Sequence, residues 1–147
     1  MAANAFGMQS PGNEHPHLWK HWIGSTKRFP HNMKITKIYT GDLGDSFFQD
    51  VEIPLVEQGA IGFLSENIAV TNLQIRKVRA DYDYDFHCAP QRQYIVLLDG
   101  GVEIETSRGE RRKFQAGEIL LVEDTFGKGH RTKNLQKRER TSLFIHI

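Results

Sequence analysis

The chain has 147 residues, of which 39% are hydrophobic, 10% aromatic and 25% charged, and its 19 basic and 18 acidic side chains give a formal charge of +1. These values are ordinary for one soluble domain that can bury a core of its own. They exclude a disordered chain, a collagen-like repeat and a disulfide scaffold. The small net charge also excludes a globally basic nucleic-acid binder.

The cysteine content and the hydropathy pattern lead us to expect a cytoplasmic protein. The single cysteine, Cys88, cannot form an internal disulfide, and a lone thiol favours a reducing compartment. No run approaches the ~18 consecutive apolar residues of a membrane span. The N-terminus also lacks the continuous apolar core of a signal peptide. We therefore expect no membrane partner and no nucleic-acid partner.

Residues 1–32 are predicted to form an N-terminal arm. They are rich in glycine and proline, contain four of the seven histidines and show no strand-like alternation. Such a segment is irregular unless side chains such as Trp19 and Trp22 dock on another surface. No cysteine or carboxylate pair completes a metal-ligand set with these histidines. We interpret the segment as a surface strap or as an arm that crosses to a partner.

Short alternating runs dominate the sequence from Met33 onward. Residues 47–55 and 68–78 alternate apolar and polar side chains, as half-buried strands do. The Asp-Gly-Gly sequence at residues 99–101 predicts a tight hairpin turn, because such residues adopt a positive φ easily. No 11-residue window keeps a 3.6-residue apolar period, so no long helix is expected. Roughly eight short strands predict an all-β sandwich or barrel over residues 33–147.

Two motifs in this part of the chain resemble the signature of the cupin superfamily. The first family motif is glycine, five residues, histidine, one residue, histidine, three or four residues, glutamate, six residues and glycine. The second is glycine, five to seven residues, proline, one residue, glycine, two residues, histidine, three residues and asparagine. The matching positions are Asp81, His87, Ala89, Gln93 and Gly100 for the first motif, and Gly117, Thr125, Gly127, His130 and Asn134 for the second. The resemblance covers residues 33–147 and implies a single jelly-roll barrel.

The resemblance also implies a site inside the barrel. In the family, histidines and a glutamate hold a divalent metal, so His87, Gln93 and His130 would hold iron, manganese, nickel, copper or zinc. This chain departs from the pattern because Ala89 has no ligand atom and Gln93 lacks the charge of a glutamate. Two imidazoles and one amide leave a divalent ion short of ligands. A site without metal is therefore equally plausible.

Candidate residues for proton transfer lie beside the second motif. His130 is expected to shuttle a proton near neutral pH, with a carboxylate that orients it or serves as base. Glu123 shares strand parity with Ile119 and Leu121 and is expected to face inward, with Asp124 as an alternative. Gln93, Tyr94 and Asn134 are assigned to substrate binding.

These residues lead to a functional expectation with two alternatives. We expect an enzyme that acts on a small organic molecule in the barrel, either an acid–base isomerase, lyase or dehydratase, or a metal-dependent oxygenase. The alternative is a ligand-binding or sensing protein without turnover, since one fold hosts both classes. The resemblance further implies a homodimer.

Overall fold

The computed structural model describes residues 31–147, so the predicted arm lies outside the described residues except for its last two positions. The described part contains twelve strands and one short 3-10 helix, Gly59–Ile61. The strands are β1 Met33–Thr40, β2 Ser46–Ile53, β3 Val56–Glu57, β4 Phe63–Leu64, β5 Asn72–Val78, β6 Asp83–His87, β7 Gln93–Leu97, β8 Val102–Thr106, β9 Arg111–Phe114, β10 Ile119–Val122, β11 His130–Asn134 and β12 Arg140–His146.

Ten of these strands form two sheets. The larger sheet has the order β2-β1-β10-β7-β12-β5, and the smaller has the order β6-β11-β8-β9. Every pair is antiparallel except β1 with β10. Strands β3 and β4 pair only with each other. The prediction of an all-β fold is confirmed, with antiparallel sheets of the jelly-roll type. No helix in residues 31–147 is long and apolar enough to cross a membrane.

The core lies between the two sheets and follows from the period-two alternation of strand side chains. In β10, Leu120 and Val122 are buried, while their neighbours along the strand are half-buried. The core cluster draws residues from both sheets, which shows that the sheets pack face to face. Its members are Ile38, Phe48, Ala89, Leu97, Val102, Ile104, Phe114, Leu120 and Val122.

The inward-facing side chains are less deeply buried on the side of β5 and β6. These two strands are the edges of their respective sheets and follow each other in the chain. Tyr82 donates its backbone N–H to the carbonyl of Arg79, which closes the turn between them. Ile95 and His146 face inward in the large sheet but are only half-buried. We call the space between β6 and the β5–β12 pair the inner cleft.

Candidate functional site

A buried carboxylate and a buried histidine form the centre of the site. Asp124 has the same parity as Leu120 and Val122, so it faces inward just after β10 ends, and its side chain is fully buried. His130, the first residue of β11, is also buried. Its ring Nδ1 lies 2.6 Å from Asp124 Oδ2. The other carboxylate oxygen, Asp124 Oδ1, is buried and has no partner among the described residues.

A second histidine lies against the first. His87 and His130 are register partners on β6 and β11, and their ring centroids are 4.6 Å apart. His87 Nδ1 lies 2.8 Å from the carbonyl oxygen of Asp85. Burial lowers the pKa of His87, and the neighbouring His130 lowers it further, against the opposing effects of the Asp85 carbonyl and the Asp124 carboxylate. His87 is therefore a neutral imidazole at neutral pH.

The partners of the two rings assign their tautomers. Each Nδ1 lies within hydrogen-bond distance of an acceptor oxygen, the carbonyl of Asp85 or the side-chain Oδ2 of Asp124, so we assign the ring proton to Nδ1 in both histidines. In a neutral ring the lone pair then lies on Nε2. Each histidine consequently has one basic nitrogen that its structural hydrogen bond does not use. Two such nitrogens on adjacent rings can take up and return a proton.

The chain before β11 brings the two histidines together. Gly129 has φ +69°, and a Cβ added there would lie 2.2 Å from the carbonyl oxygen of His87. The backbone at Gly129, next to His130, thus passes directly over the backbone of His87. The hydroxyl of Ser46 donates to the carbonyl of Gly129 at 2.7 Å and holds this backbone in place. Only glycine can adopt this positive φ and also let the two backbones approach so closely.

Gln93 and His146 form a polar pair on the inner face of the large sheet. They are register partners on β7 and β12, and Gln93 also pairs with the inward-facing Val122. Gln93 is buried, and neither its Oε1 nor His146 Nε2 has a partner among the described residues. Unpaired buried polar atoms are costly, so they indicate a place where a polar ligand or water would bind. The sequence analysis missed His146, although its parity with the inward-facing Ser142 and Phe144 could have indicated it.

The structure places Glu123 away from the site, which corrects the expectation that it faces inward. Glu123 forms an ion pair of 3.2 Å with Arg92. Its neighbours in parity, Ile119 and Leu121, lie on the outer face of the large sheet, because Leu120 and Val122 occupy the inner face. The strand parity was assigned one residue out of phase, so Asp124 is the inward carboxylate.

Two residues assigned to substrate also lie outside the cluster. Tyr94 is next to Gln93 and points to the opposite, outer face, where its register partners are Leu121 and Ile145. Asn134 lies at the far end of β11 from His130 and is used structurally. Its side chain donates to the carbonyl of Arg79 at 2.8 Å and accepts from Arg140 Nε at 2.7 Å.

The donor atoms present do not complete the metal site implied by the resemblance. His87 and His130 each offer Nε2, but Asp124 is engaged by His130 Nδ1. Within residues 31–147, no group of three or more histidine, cysteine, aspartate or glutamate side chains is arranged to hold a metal. Catalytic metal sites usually have three protein ligands. Metal binding by His87, Gln93 and His130 stays a prediction, and the chemistry below is derived from protein groups.

A cavity of about 500 Å³ lies elsewhere, near the start of β1 and the end of β9. Its lining includes Lys34, Asp50 and Arg112, whose charges are already paired at 2.9 Å and 2.8 Å. A paired, exposed ion cluster of this kind offers no free basic atom. The histidine cluster is therefore the better candidate for chemistry, although this cavity does not include it.

Comparison with protein families and with curated proteins finds no match. Among solved structures, the crystal structure of protein NMB1881 from Neisseria meningitidis is similar over 82% of this chain and 87% of that chain, with 12% sequence identity and a TM-score of 0.41. A likeness this distant carries no argument about function.

Proposed function

We propose that this chain is an enzyme that transfers a proton on a small organic molecule held in the inner cleft. The reaction class is that of an acid–base isomerase, lyase or dehydratase, and the cupin resemblance is part of the same proposal. The single observation that carries it is the buried Asp124–His130 pair with the neutral His87 ring beside it. Buried titratable groups with specific charge partners are typical of catalytic sites.

His130 is the proton-transfer residue in this proposal. Its Nε2 takes a proton from the substrate, and the ring becomes an imidazolium whose Nδ1–H remains on the carboxylate of Asp124. That buried carboxylate offsets the charge that develops, as an oriented acid does for a histidine base. The proton is then returned from Nε2 to a second position on the substrate or to a leaving group.

His87 and Gln93 would bind the substrate. The neutral His87 accepts a hydrogen bond at Nε2 from a substrate hydroxyl, because its Nδ1 proton is used by Asp85. Gln93 Oε1 is a second buried acceptor. A substrate with hydrogen-bond donors would satisfy both atoms and be oriented by them.

The proposal is tested by solvent deuterium incorporation. Wild-type protein in D₂O is incubated with pyruvate, dihydroxyacetone, malate and acetoacetate, and the carbon-bound deuterium is followed by NMR. We expect exchange into at least one probe, and a loss of about 100-fold or more in His130→Gln, because general acid–base groups contribute about that much.

The matched control is His31→Gln, which changes a histidine outside the site that stacks on Phe63. Its exchange rate should equal that of the wild type. Equal rates in His130→Gln and wild type would refute the assignment. Loss of exchange after chelation, restored by one metal, would favour a metal-dependent enzyme over proton transfer by protein groups alone. Binding of a probe without any exchange would favour the non-catalytic alternative.

The expected setting of this enzyme is the cytoplasm. Cys88 is a free, half-buried thiol whose Sγ lies 3.2 Å from the carbonyl oxygen of Gly127. Burial raises the pKa of this thiol, and the negative charge of Asp124 raises it further. An unreactive thiol of this kind is compatible with a reducing compartment.

A further inference from the structure

An arginine of the large sheet faces into the inner cleft without a carboxylate partner. Arg76 on β5 is the register partner of Ser142, which is fully buried on the inner face. No carboxylate of the described residues lies within ion-pair distance of the Arg76 guanidinium, whereas the neighbouring Lys77, on the outer face, reaches Glu139 at 4.0 Å. Burial lowers the pKa of Arg76, and the group stays charged because an arginine pKa is very high.

Aromatic packing fixes the orientation of Arg76. Its guanidinium carbon lies 3.6 Å from the centroid of the Phe144 ring, and its Nε donates to the side-chain oxygen of Gln74. A guanidinium held flat on a ring keeps its outer N–H groups in one plane. Those groups are consequently preorganised for a planar, bidentate acceptor.

The opposite wall of the cleft is aromatic and leads to the histidine pair. The rings of Tyr82 and Tyr84 are stacked with centroids 6.0 Å apart, and Tyr84 meets His87 edge-on at 4.5 Å. Phe144, under the guanidinium of Arg76, is two residues from His146 on the same strand face. Arg76 therefore shares the inner face of the large sheet with His146, and the two tyrosines lead along β6 to His87.

The second inward arginine is already used by the protein. Arg140 donates from Nε to Asn134 and from Nη1 to the hydroxyl of Ser142, each at 2.7 Å. It closes the end of the cleft where Tyr82 lies 5.5 Å from its guanidinium. The guanidinium of Arg76 therefore remains available. A single guanidinium suits a ligand with one negative charge better than a phosphate.

We propose that the inner cleft binds a small carboxylate with an apolar or aromatic body, and that Arg76 holds the carboxylate group in a bidentate ion pair. This inference rests on the proposed function and gives carboxylic acids as the substrate class of that enzyme. Arg76 is the specificity-determining residue, since its unpaired charge selects the acid over the uncharged amide of the same shape.

Binding of matched acids and amides tests this inference. The probes are phenylacetate and benzoate, each compared with its amide by NMR titration of the full chain. At least one acid should bind wild-type protein tenfold or more tightly than its amide. Arg76→Gln should weaken that acid at least tenfold and leave the amide unchanged. Arg76→Lys should recover only part of the loss, because an ammonium lacks the planar fork.

Lys77→Gln is the matched control, since it removes the same formal charge from the next residue of β5 on the opposite face. Its acid affinity should stay within twofold of the wild type. The inference is overturned if no acid binds or if acid and amide bind equally. It is also overturned if Lys77→Gln lowers the acid affinity as much as Arg76→Gln does. Should Arg76→Gln fail to fold, the comparison of acid with amide on the wild type still decides.

The test separates this inference from the proposed function. His130→Gln keeps Arg76 and should bind the acid within threefold of the wild type, even where it abolishes deuterium exchange. Acid binding that depends on Arg76, without exchange by the wild type, would support the carboxylate site and refute proton transfer. Exchange into uncharged dihydroxyacetone, with no preference for acids in binding, would support proton transfer and refute the carboxylate site.

Discussion

The fully buried carboxylate of Asp124 determines the state of the histidine beside it. It accepts a hydrogen bond from His130 Nδ1 at 2.6 Å and so leaves Nε2 basic. Asp124→Asn keeps the shape but removes the charge, and its amide can donate to Nδ1 and move the ring proton to Nε2. We expect the deuterium-exchange rate to fall about 100-fold or more while the fold is retained. Exchange kinetics with circular dichroism would measure both, and a rate within threefold of the wild type would contradict the assignment.

The lowered pKa of His87 predicts how the free energy of unfolding depends on pH. Its pKa is lowered in the folded protein, so the unfolded chain binds the proton more readily. Its contribution to the free energy of unfolding is complete above the unfolded pKa of about 6.5 and is lost as the pH falls below that value. Urea unfolding between pH 8 and pH 5 should show stability decreasing over the acid half of this range. His87→Gln should make that decrease shallower, and an unchanged slope would count against the lowered pKa.

At the scale of elements, the turn from β10 to β11 positions the His87–His130 pair. Gly129→Ala would place a Cβ against the carbonyl of His87 at a residue whose φ is +69°. We expect a loss of about 1–3 kcal/mol in the free energy of unfolding, together with loss of exchange activity, because β6 and β11 must separate locally. Thermal and urea unfolding measure the first effect, and deuterium exchange measures the second.

Gly109→Ala is the control for this substitution. Gly109 also has a positive φ, of +82°, but a Cβ there would meet nothing within 4 Å. It should therefore show only the conformational cost of a left-handed residue, about 1–2 kcal/mol, and keep full activity. Equal losses of activity in both variants would show that the close approach to His87 is unimportant.

Strand parity was the weak step in predicting the site from the sequence. The sequence predicted His87 and Gln93 on one strand pair and His130 on another, whereas the structure pairs His87 with His130 on adjacent strands β6 and β11 and places Gln93 on β7 of the other sheet. The prediction misassigned Glu123 because a shift of one residue reverses the face of every side chain on a strand. It missed His146 because the contact with Gln93 joins residues far apart in sequence.

At the scale of the whole molecule, the outer face of the large sheet is unusually apolar. An antiparallel sheet with a solvated face normally alternates apolar and polar side chains. Exposure is greatest on the edge strand, where Leu73 is 59% and Ile75 71% exposed. Register aligns the outer residues of β5, β12, β7 and β10 in two rows, Leu73, Ile145, Tyr94 and Leu121 in one, and Ile75, Leu143, Val96 and Ile119 in the other.

A second copy of this chain is the expected occupant of that face. The four strands that carry these rows, about 4.8 Å apart and about 17 Å long, cover roughly 330 Å² in plan, which is a substantial part of the ~800 Å² of accessible surface per partner in a stable interface. A two-fold axis places the same patch on both copies. We expect light scattering of the full chain to give twice the chain mass. Leu73→Thr/Ile75→Thr, which keeps strand propensity, should raise the dimer dissociation constant at least tenfold.

Leu43→Thr is the control, since Leu43 is 91% exposed in the turn between β1 and β2, away from this face. It should leave the dimer unchanged. A monomeric wild-type protein would contradict the prediction, as would a dimer that the double substitution does not weaken. Because the face carries few charges, the dimer should also persist in high salt.

The sequence by itself determined the all-β class, since alternation with period two and glycine turns are local properties that each short segment carries. It also determined which residue types could do acid–base chemistry. Only the tertiary structure decided that Asp124 rather than Glu123 meets His130, that His146 pairs in register with Gln93, and that Arg76 turns inward without a carboxylate partner in residues 31–147. These are contacts between distant strands, and they depend on which face each strand turns toward the core, which a single sequence leaves uncertain by one residue.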